Sequence, residues 1–323
     1  MLNMLINRIR SAARRVHYPR MVPTSAQGEQ AALVALLCER PNGLNWRQLT
    51  ELILQNGSAD ETRKHLIDDV LFPAEDWSDR LRIAADDVAA WERQGLEILA
   101  ITDERYPARV RDIQEAPPLL FARGLRVEND VAVSVVGSRK ASPRGLQMSK
   151  AIAEALVSME VTVVAGLAAG IDTAAHRTAL TGGGRTVAVI GTGINQSYPA
   201  TNRALQERIA GEGLVLSQFW PDSPPQRHNF PMRNAVMSGY GIATVVVEAG
   251  EHSGARSQAR MAVHHGRPVI LTDLVVARTE WARQLQSAPD VYVAASVDDV
   301  RVIVSELLKR PAAVSEALSQ IAV

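Results

Sequence analysis

Two stretches, VAVSVVGSRKASPRG (131–145) and TVVAGLAAGIDTAAHRTAL (162–180), decide the fold. In each, an unbroken apolar, β-branched run leads into Gly and small polar residues and then into a segment of helical spacing. A strand buried on one face alternates polar and apolar residues. A strand buried on both faces does not, and that requires helices over both faces of a parallel sheet. The same pattern recurs at Thr186–Ile190, Leu214–Ser217, Ala243–Val247, Pro268–Leu271 and Val291–Ala294. The expectation is an α/β fold with a doubly wound, mostly parallel, Rossmann-like sheet. Upstream, residues 29–70 read as helices: EQAALVALLCE (29–39) carries an apolar stripe, Pro41-Asn42-Gly43 breaks it, and Trp46–Gln55 resumes before Asn56-Gly57. Residues 59–92 hold ten carboxylates against four basic groups, closing on a periodic helix around Trp91. That acidity argues against this small helical N-terminal module being a nucleic-acid face. The expected organisation is a basic arm (1–28), a helical module (29–95), the Rossmann-like domain (96–275) and a C-terminal strand–helix extension (276–323).

Composition sets outer limits. With 323 residues and a 46% hydrophobic fraction the chain can bury a sizeable core. Lys+Arg and Asp+Glu are both 35, so net charge supplies no argument for nucleic acid, membrane or acidic substrates. Only four of the basic residues are Lys, at 64, 140, 150 and 309, so the positive charge is nearly all arginine, the side chain suited to forked phosphate contacts. The single cysteine, Cys38, excludes an internal disulfide framework and a cysteine-based metal cluster. No apolar run approaches the ~18–20 residues that cross a bilayer, and the N-terminus lacks the apolar core of a secretory signal, so a cytoplasmic protein is expected. The chain is acid-free until Glu29 and carries Arg8, Arg10, Arg14, Arg15 and Arg20, which fits a basic arm, a partner-binding helix or a solvated tail. The seven histidines lack metal-ligand spacing, and neither metal nor cofactor is expected.

In doubly wound folds ligands sit in the loops at the carboxyl ends of the strands. The first such loop, Gly137-Ser138-Arg139-Lys140, is a candidate phosphate cradle or a plain turn with a solvated Arg. The second holds Gly166 and Gly170, then Asp172 and His176, which could form a catalytic dyad; a helix cap with an ordinary partner is the favoured reading. The third, Gly191-Thr192-Gly193, lacks the third glycine of a dinucleotide fingerprint, with Gln196 in its place, which rejects an NAD(P) enzyme. It continues into a turn, Tyr198–Arg203, that starts a helix. A final polar group combines Arg233 and Asn234 with Glu248, His252, Ser253, Gly254 and Arg256. No GxSxG elbow is present, so Ser253 is not an acyl-transfer nucleophile. These loops suit a phosphate-bearing ligand, either a nucleotide or a nucleic-acid backbone.

Taken in order, these segments, with GGGRTVAVIGTGINQSYPATNRAL (182–205), GLVLSQF (213–219), NFPMRNAVMSG (229–239), ATVVVEAGEHSGARSQARMAVHHGRPV (243–269) and the lead-in ILAITDERYPARVRDIQEAPPLLFARG (98–124), resemble the DNA-processing protein A (DprA/Smf) family. The resemblance implies a protein without catalytic activity that binds single-stranded DNA, dimerises, protects incoming strands and loads a RecA-type recombinase in transformation or recombination. By the same resemblance Gly137, Ser138 and Arg139 match the family's phosphate contact, and Asn202 and Arg203 its polar helix start. Arg233 and Asn234 match its Arg-Asn pair, and Glu248, Ser253 and Gly254 its Glu-Ala…Ser-Gly loop. Base stacking would fall to Phe219, Trp220 or Phe230. Three departures stand out: Ala235 replaces an Arg, Ala255-Arg256-Ser257 replaces Ser-Leu, and LTDLVVARTEW (271–281) stands where a Pro-Gly is usual. The winged-helix-like C-terminal domain of many members is not expected within residues 276–323. The competing expectations are a nucleotide sensor or antitoxin-like regulatory partner in a defence system, and a nucleotide N-glycosidase. The latter's PGGxGTxxE motif is missing, since Gly182-Gly183-Gly184 stands between helix and strand.

Overall fold

The computed structural model describes residues 26–68 and 74–321. The expected basic arm therefore lies, almost entirely, outside the described residues. Four helices come first: α1 (Ala26–Glu39), α2 (Trp46–Asn56), α3 (Ala59–Asp68) and α4 (Ala74–Arg93). Ala31 to Leu37 are all buried, so α1 is enclosed on every side rather than along one stripe. Asn45 begins α2 with a capping box, its side chain accepting from the Gln48 amide while Gln48 accepts from the Asn45 amide, both at 3.0 Å. Gly57 ends that helix at φ 80°, a left-handed position that favours glycine. The Glu29 carboxylate reaches across to the first amides of α3, accepting from Ala59 at 2.6 Å. This helical layer packs directly on the sheet. Gln30 donates to the Ile98 carbonyl at 2.8 Å. Trp91 stacks on Trp220 with ring centroids 5.7 Å apart, Trp46 meets Trp220 edge-on at 5.4 Å, and Phe121 completes the aromatic cluster.

The sheet has nine strands: β1 (Glu97–Ala100), β2 (Leu119–Gly124), β3 (Ala132–Val136), β4 (Thr162–Ala165), β5 (Thr186–Val189), β6 (Leu214–Ser217), β7 (Ala243–Val246), β8 (Val269–Thr272) and β9 (Val291–Ala294). Their order is β1-β2-β6-β5-β4-β3-β7-β8-β9. The seven apolar runs of the sequence are β3 to β9, and all seven are parallel. β2 pairs antiparallel with β6, and β1 antiparallel with β2. These two strands come from the 98–124 lead-in, where the sequence reading distinguished no strands. Between them runs the short helix α5 (Ala108–Arg111).

The other helices are α6 (Pro143–Ser158), α7 (Ile171–Thr181), α8 (Arg203–Glu212), α9 (Asn229–Tyr240), α10 (Gly254–His264), α11 (Asp273–Val276), α12 (Glu280–Leu285) and α13 (Val297–Ile321). Helices α6, α7 and α13 share one core through Ile152, Ala175 and Val300; α8 and α10 contribute Leu205 and Ala259 to the other. From β3 the chain winds outward through β4, β5 and β6, then returns to β3's other side for β7. That reversal opens a crevice at the carboxyl ends of β3 and β7. At the opposite edge the Asp130 carboxylate accepts from Thr162 (2.5 Å), Arg185 (2.9 Å) and Tyr240 (2.8 Å), tying β4, β5 and α9 together. Burial, and then the Asp130 charge, raise the Tyr240 phenol well above its ordinary pKa.

Candidate nucleic-acid interface

The loops at the crevice are stitched to one another by backbone. The Ser138 amide donates to the Glu248 carbonyl at 2.6 Å, and the Ile171 amide to the Ser138 carbonyl at 3.2 Å. Ser142 caps α6 by accepting from the Gly145 amide at 3.1 Å, with Pro143 in the first turn. The Glu248 carboxylate then fills the mouth of that helix. One oxygen accepts from the Ser142 amide (2.9 Å) and hydroxyl (3.0 Å), the other from Arg278 (3.0 Å). A Cβ at Gly145 would stand 1.8 Å from that first oxygen, so a larger residue there would have to displace the Glu248 carboxylate. The helix start that the sequence offered as an anion cradle thus already holds an internal anion.

Asp172 and His176 form no dyad. The buried Asp172 carboxylate accepts from the amides of Gly166 (3.0 Å) and Ala168 (3.4 Å). Burial raises its pKa, with Arg233 acting in the opposite direction. His176 turns instead to Thr186, 2.7 Å away, whose hydroxyl donates to the Val163 carbonyl. Full burial pushes the His176 imidazole down to about 3 from an ordinary 6.5. The unfolded chain then binds a proton that the folded one refuses, so this contribution is complete above pH 6.5 and is lost as pH falls toward 3. The expected slope is about 1.4 kcal/mol per pH unit. Urea titrations at neutral and mildly acidic pH should show it in the native chain and a flatter dependence in His176→Gln; equal slopes would remove His176 as the cause.

The expected site residues divide into a buried floor and a solvent-facing rim. In the floor, Arg233 donates through one nitrogen to the carbonyls of Gly166 and Val189, both at 2.6 Å, and through Nε to Asn234 at 3.1 Å. Burial lowers the Arg233 pKa to about 10, against the opposing charge of Asp172. Asn202 donates to the Leu167 carbonyl at 2.9 Å and to the Thr173 hydroxyl at 2.8 Å. Gly166 lies against the Arg233 guanidinium, Gly170 against the Ser138 carbonyl, and Gly137 against Ile171. Arg233, Asn234, Asn202 and Glu248 are therefore all turned inward.

On the rim, Arg139, Lys140, Arg203, His252 and Gly254 are exposed, while Ser138, Ser253 and Arg256 are half-buried. Arg139, Lys140 and Arg203 have no ion-pair partner among the described residues. The Arg139 guanidinium sits 5.2 Å from the centroid of the Phe230 ring, a cation–π contact. Tyr198 stands beside Phe230 with ring centroids 5.5 Å apart and is 43% exposed. Of the three stacking candidates, Phe219 is buried and Trp220 belongs to the aromatic cluster under the helical layer; Phe230 reaches the edge. The sequence reading assigned Tyr198 only to a turn. Its signal was an aromatic residue in a polar loop at the carboxyl end of a strand, where core packing does not call for one.

The departures from the family pattern have structural counterparts. Ala235 is buried within the core. The 271–281 segment closes β8, forms α11 and the start of α12, and buttresses the loop after β7. Trp281 donates to the Gly250 carbonyl at 3.2 Å, the Glu280 amide to Glu251 at 3.0 Å, and Arg278 reaches Glu248. Among the described residues no group of three or more His, Cys, Asp or Glu side chains could hold a metal ion, and no helix is long and apolar enough to cross a membrane.

Fold and rim together define a Rossmann-like protein with cations and rings at the carboxyl edge of its sheet. The chain belongs to the DNA recombination-mediator protein A family, which matches residues 97–306. It is similar to DNA processing protein DprA of Streptococcus pneumoniae, 40% identical over 180 residues, which are 55% of this chain and 64% of that protein. DprA of Bacillus subtilis is 32% identical over 185 residues, 57% of this chain and 62% of that one. The match thus spans less than two thirds of these relatives' length. The crystal structure of the Streptococcus pneumoniae protein superposes with a TM-score of 0.67 at 30% identity, covering 86% of this chain and 98% of that one. DprA of Helicobacter pylori, whose structure describes a single-stranded DNA binding mode, shares the fold at a TM-score of 0.57 and 22% identity over 65% of this chain and 96% of its own.

Proposed function

We propose that this protein binds single-stranded DNA along the carboxyl edge of its sheet and, as a recombination mediator, presents the strand to a recombinase. One observation carries the reading: exposed cations without carboxylate partners stand beside an exposed aromatic ring. Arg139, Lys140 and Arg203 take phosphates; Ser138, Ser253 and Gly254 let the strand approach the backbone; Tyr198 and Phe230 offer a surface for a base. Non-specific single-strand binding needs such a combination and leaves sequence unread. Binding rather than chemistry is favoured because Asp172 and His176 are committed to internal bonds. The buried Arg233, Asn234, Asn202 and Glu248 act by holding the rim in place.

Fluorescence anisotropy of labelled oligo-dT across a salt series tests this, with duplex DNA and free nucleotides as competitors. Salt-steep binding that duplex fails to displace is the expected result. Displacement by free nucleotides would favour a nucleotide sensor, and no binding at low salt would overturn the reading. Arg139→Ala should reduce the slope of log K against log salt by about 0.7 and weaken binding about fivefold at ~0.1 M salt. An unchanged slope and affinity would take Arg139 out of the interface.

A further inference from the structure

Exposed helical cations in this chain commonly face a carboxylate three or four residues away: Arg47 with Glu51, Arg82 with Asp79 and Asp86, Arg208 with Glu212, Arg283 with Glu280 and Lys309 with Glu306. On the outer face of α10, Arg256 pairs with Glu251 from the preceding loop, but Arg260 breaks that habit. Arg256, Arg260 and His264 recur at four-residue intervals, continuing from His252 in the preceding loop. Such residues lie one above another on a helix, where like charges oppose helix formation. Arg260 is exposed, and its neighbours three and four residues away are Arg256, Ser257, Val263 and His264, none acidic. The Arg256 Nε is buried without a hydrogen-bond partner, although another nitrogen of that guanidinium donates to the Glu251 carbonyl at 3.2 Å and pairs with the Glu251 carboxylate at 3.8 Å. These side chains line an open pocket of about 550 Å³, with Ser253 and Ser257 supplying hydroxyls and no acidic residue in its wall.

We infer that the α10 face is a second phosphate track, taking the phosphodiester backbone of a single strand as it leaves the rim. It begins at His252 and Ser253, on the loop whose Glu248 carbonyl receives the Ser138 amide, and so adjoins the Arg139 loop. From Arg256 to His264 the helix rises about 12 Å, the length of about three stacked nucleotides. Arg260 is the central cation of this track, and Ser257 donates a hydroxyl to the same backbone. The inference rests on the single-strand reading and adds a direction and a length to it.

Oligo-dT of about 6 and about 24 nucleotides separates the two claims, because the shorter strand is accommodated by the rim alone. Arg260→Ala should weaken binding of the longer strand about fivefold at ~0.1 M salt and lower its salt slope by about 0.7, with the shorter strand unaffected. Arg260→Lys should restore both values. Arg301→Ala, which removes one charge from α13 on the other face of the sheet, should leave both strands unaffected. Equal losses at both lengths, or none at either, would overturn the track while leaving the rim standing. Failure of the unaltered protein to bind either strand would overturn the rim reading and the track together.

Discussion

Tyr198→Ala is expected to weaken oligo-dT binding about 5- to 150-fold and to leave the salt slope unchanged. A base stacked on an aromatic ring contributes about 1–3 kcal/mol by alanine substitution. The ring involves no phosphate, so no counterion term changes with it. Tyr198 is 43% exposed and packs mainly on Phe230, so its loss leaves the folded core intact. Phe230 cannot serve as the first test in the same way. Its ring lies against Gly191, where a Cβ would come within 2.8 Å, and carries the Arg139 guanidinium on it. Its removal would disturb stacking and phosphate contact at once. Tyr198→Phe should bind like the native chain, since the face of the ring and not its hydroxyl does the stacking. Anisotropy titrations at several salt concentrations check the prediction. Native affinity in Tyr198→Ala, or a flattened slope, would show that no base rests there.

Gly170→Ala should produce the largest loss of stability and, with it, loss of strand binding. Gly170 has φ 81° and ψ −121°, a region that side-chain-bearing residues scarcely populate. Its missing Cβ would stand 2.2 Å from the Ser138 carbonyl oxygen and 2.9 Å from that of Arg139. Both obstacles are backbone, so neither can rotate away. Strain and overlap together should cost about 3 kcal/mol or more, lowering the melting temperature by roughly 4–5 °C or more. The displaced segment carries Arg139, so affinity should fall in protein that remains folded. Gly250→Ala is the control, because nothing lies within 4 Å of the position its Cβ would take. Melting curves followed by circular dichroism, with anisotropy at a temperature where both variants are folded, decide the matter. A native melting temperature in Gly170→Ala would mean that the loops after β3 and β4 are not packed as described.

The architecture was legible to an unusual degree for a physical reason. Strands β3 to β9 form a parallel block under helices, most of their residues are apolar, and their ends carry Gly or polar residues, so each run announces itself locally. β1 and β2 sent a weaker signal: the first leads only into the four-residue α5 and not into a long helix-spaced segment, and the second ends in Arg123 and Gly124 at the rim of the apolar pattern. The helix α1 was read as carrying one apolar stripe because a sequence shows apolar residues but not how many partners surround them.

The site was legible as a set of loops but not as an arrangement within them. Arg139 and Arg233 both belong to polar stretches that the sequence marks for anions, yet they have opposite fates. Arg139 follows the strand on which its loop is built and faces solvent over Phe230. Arg233 is drawn beneath the edge by carbonyls of Gly166 and Val189, 67 and 44 residues away along the chain. Tyr198 joins the rim only because α9 brings Phe230 to it. The sequence by itself determined where strands, turns and cationic loops fall, since burial on two faces and the chemistry of turns act over a few residues. Which cations meet solvent and which hold the floor was decided by tertiary structure, because a guanidinium's partners are carbonyls and rings from other strands, placed only once the sheet has closed.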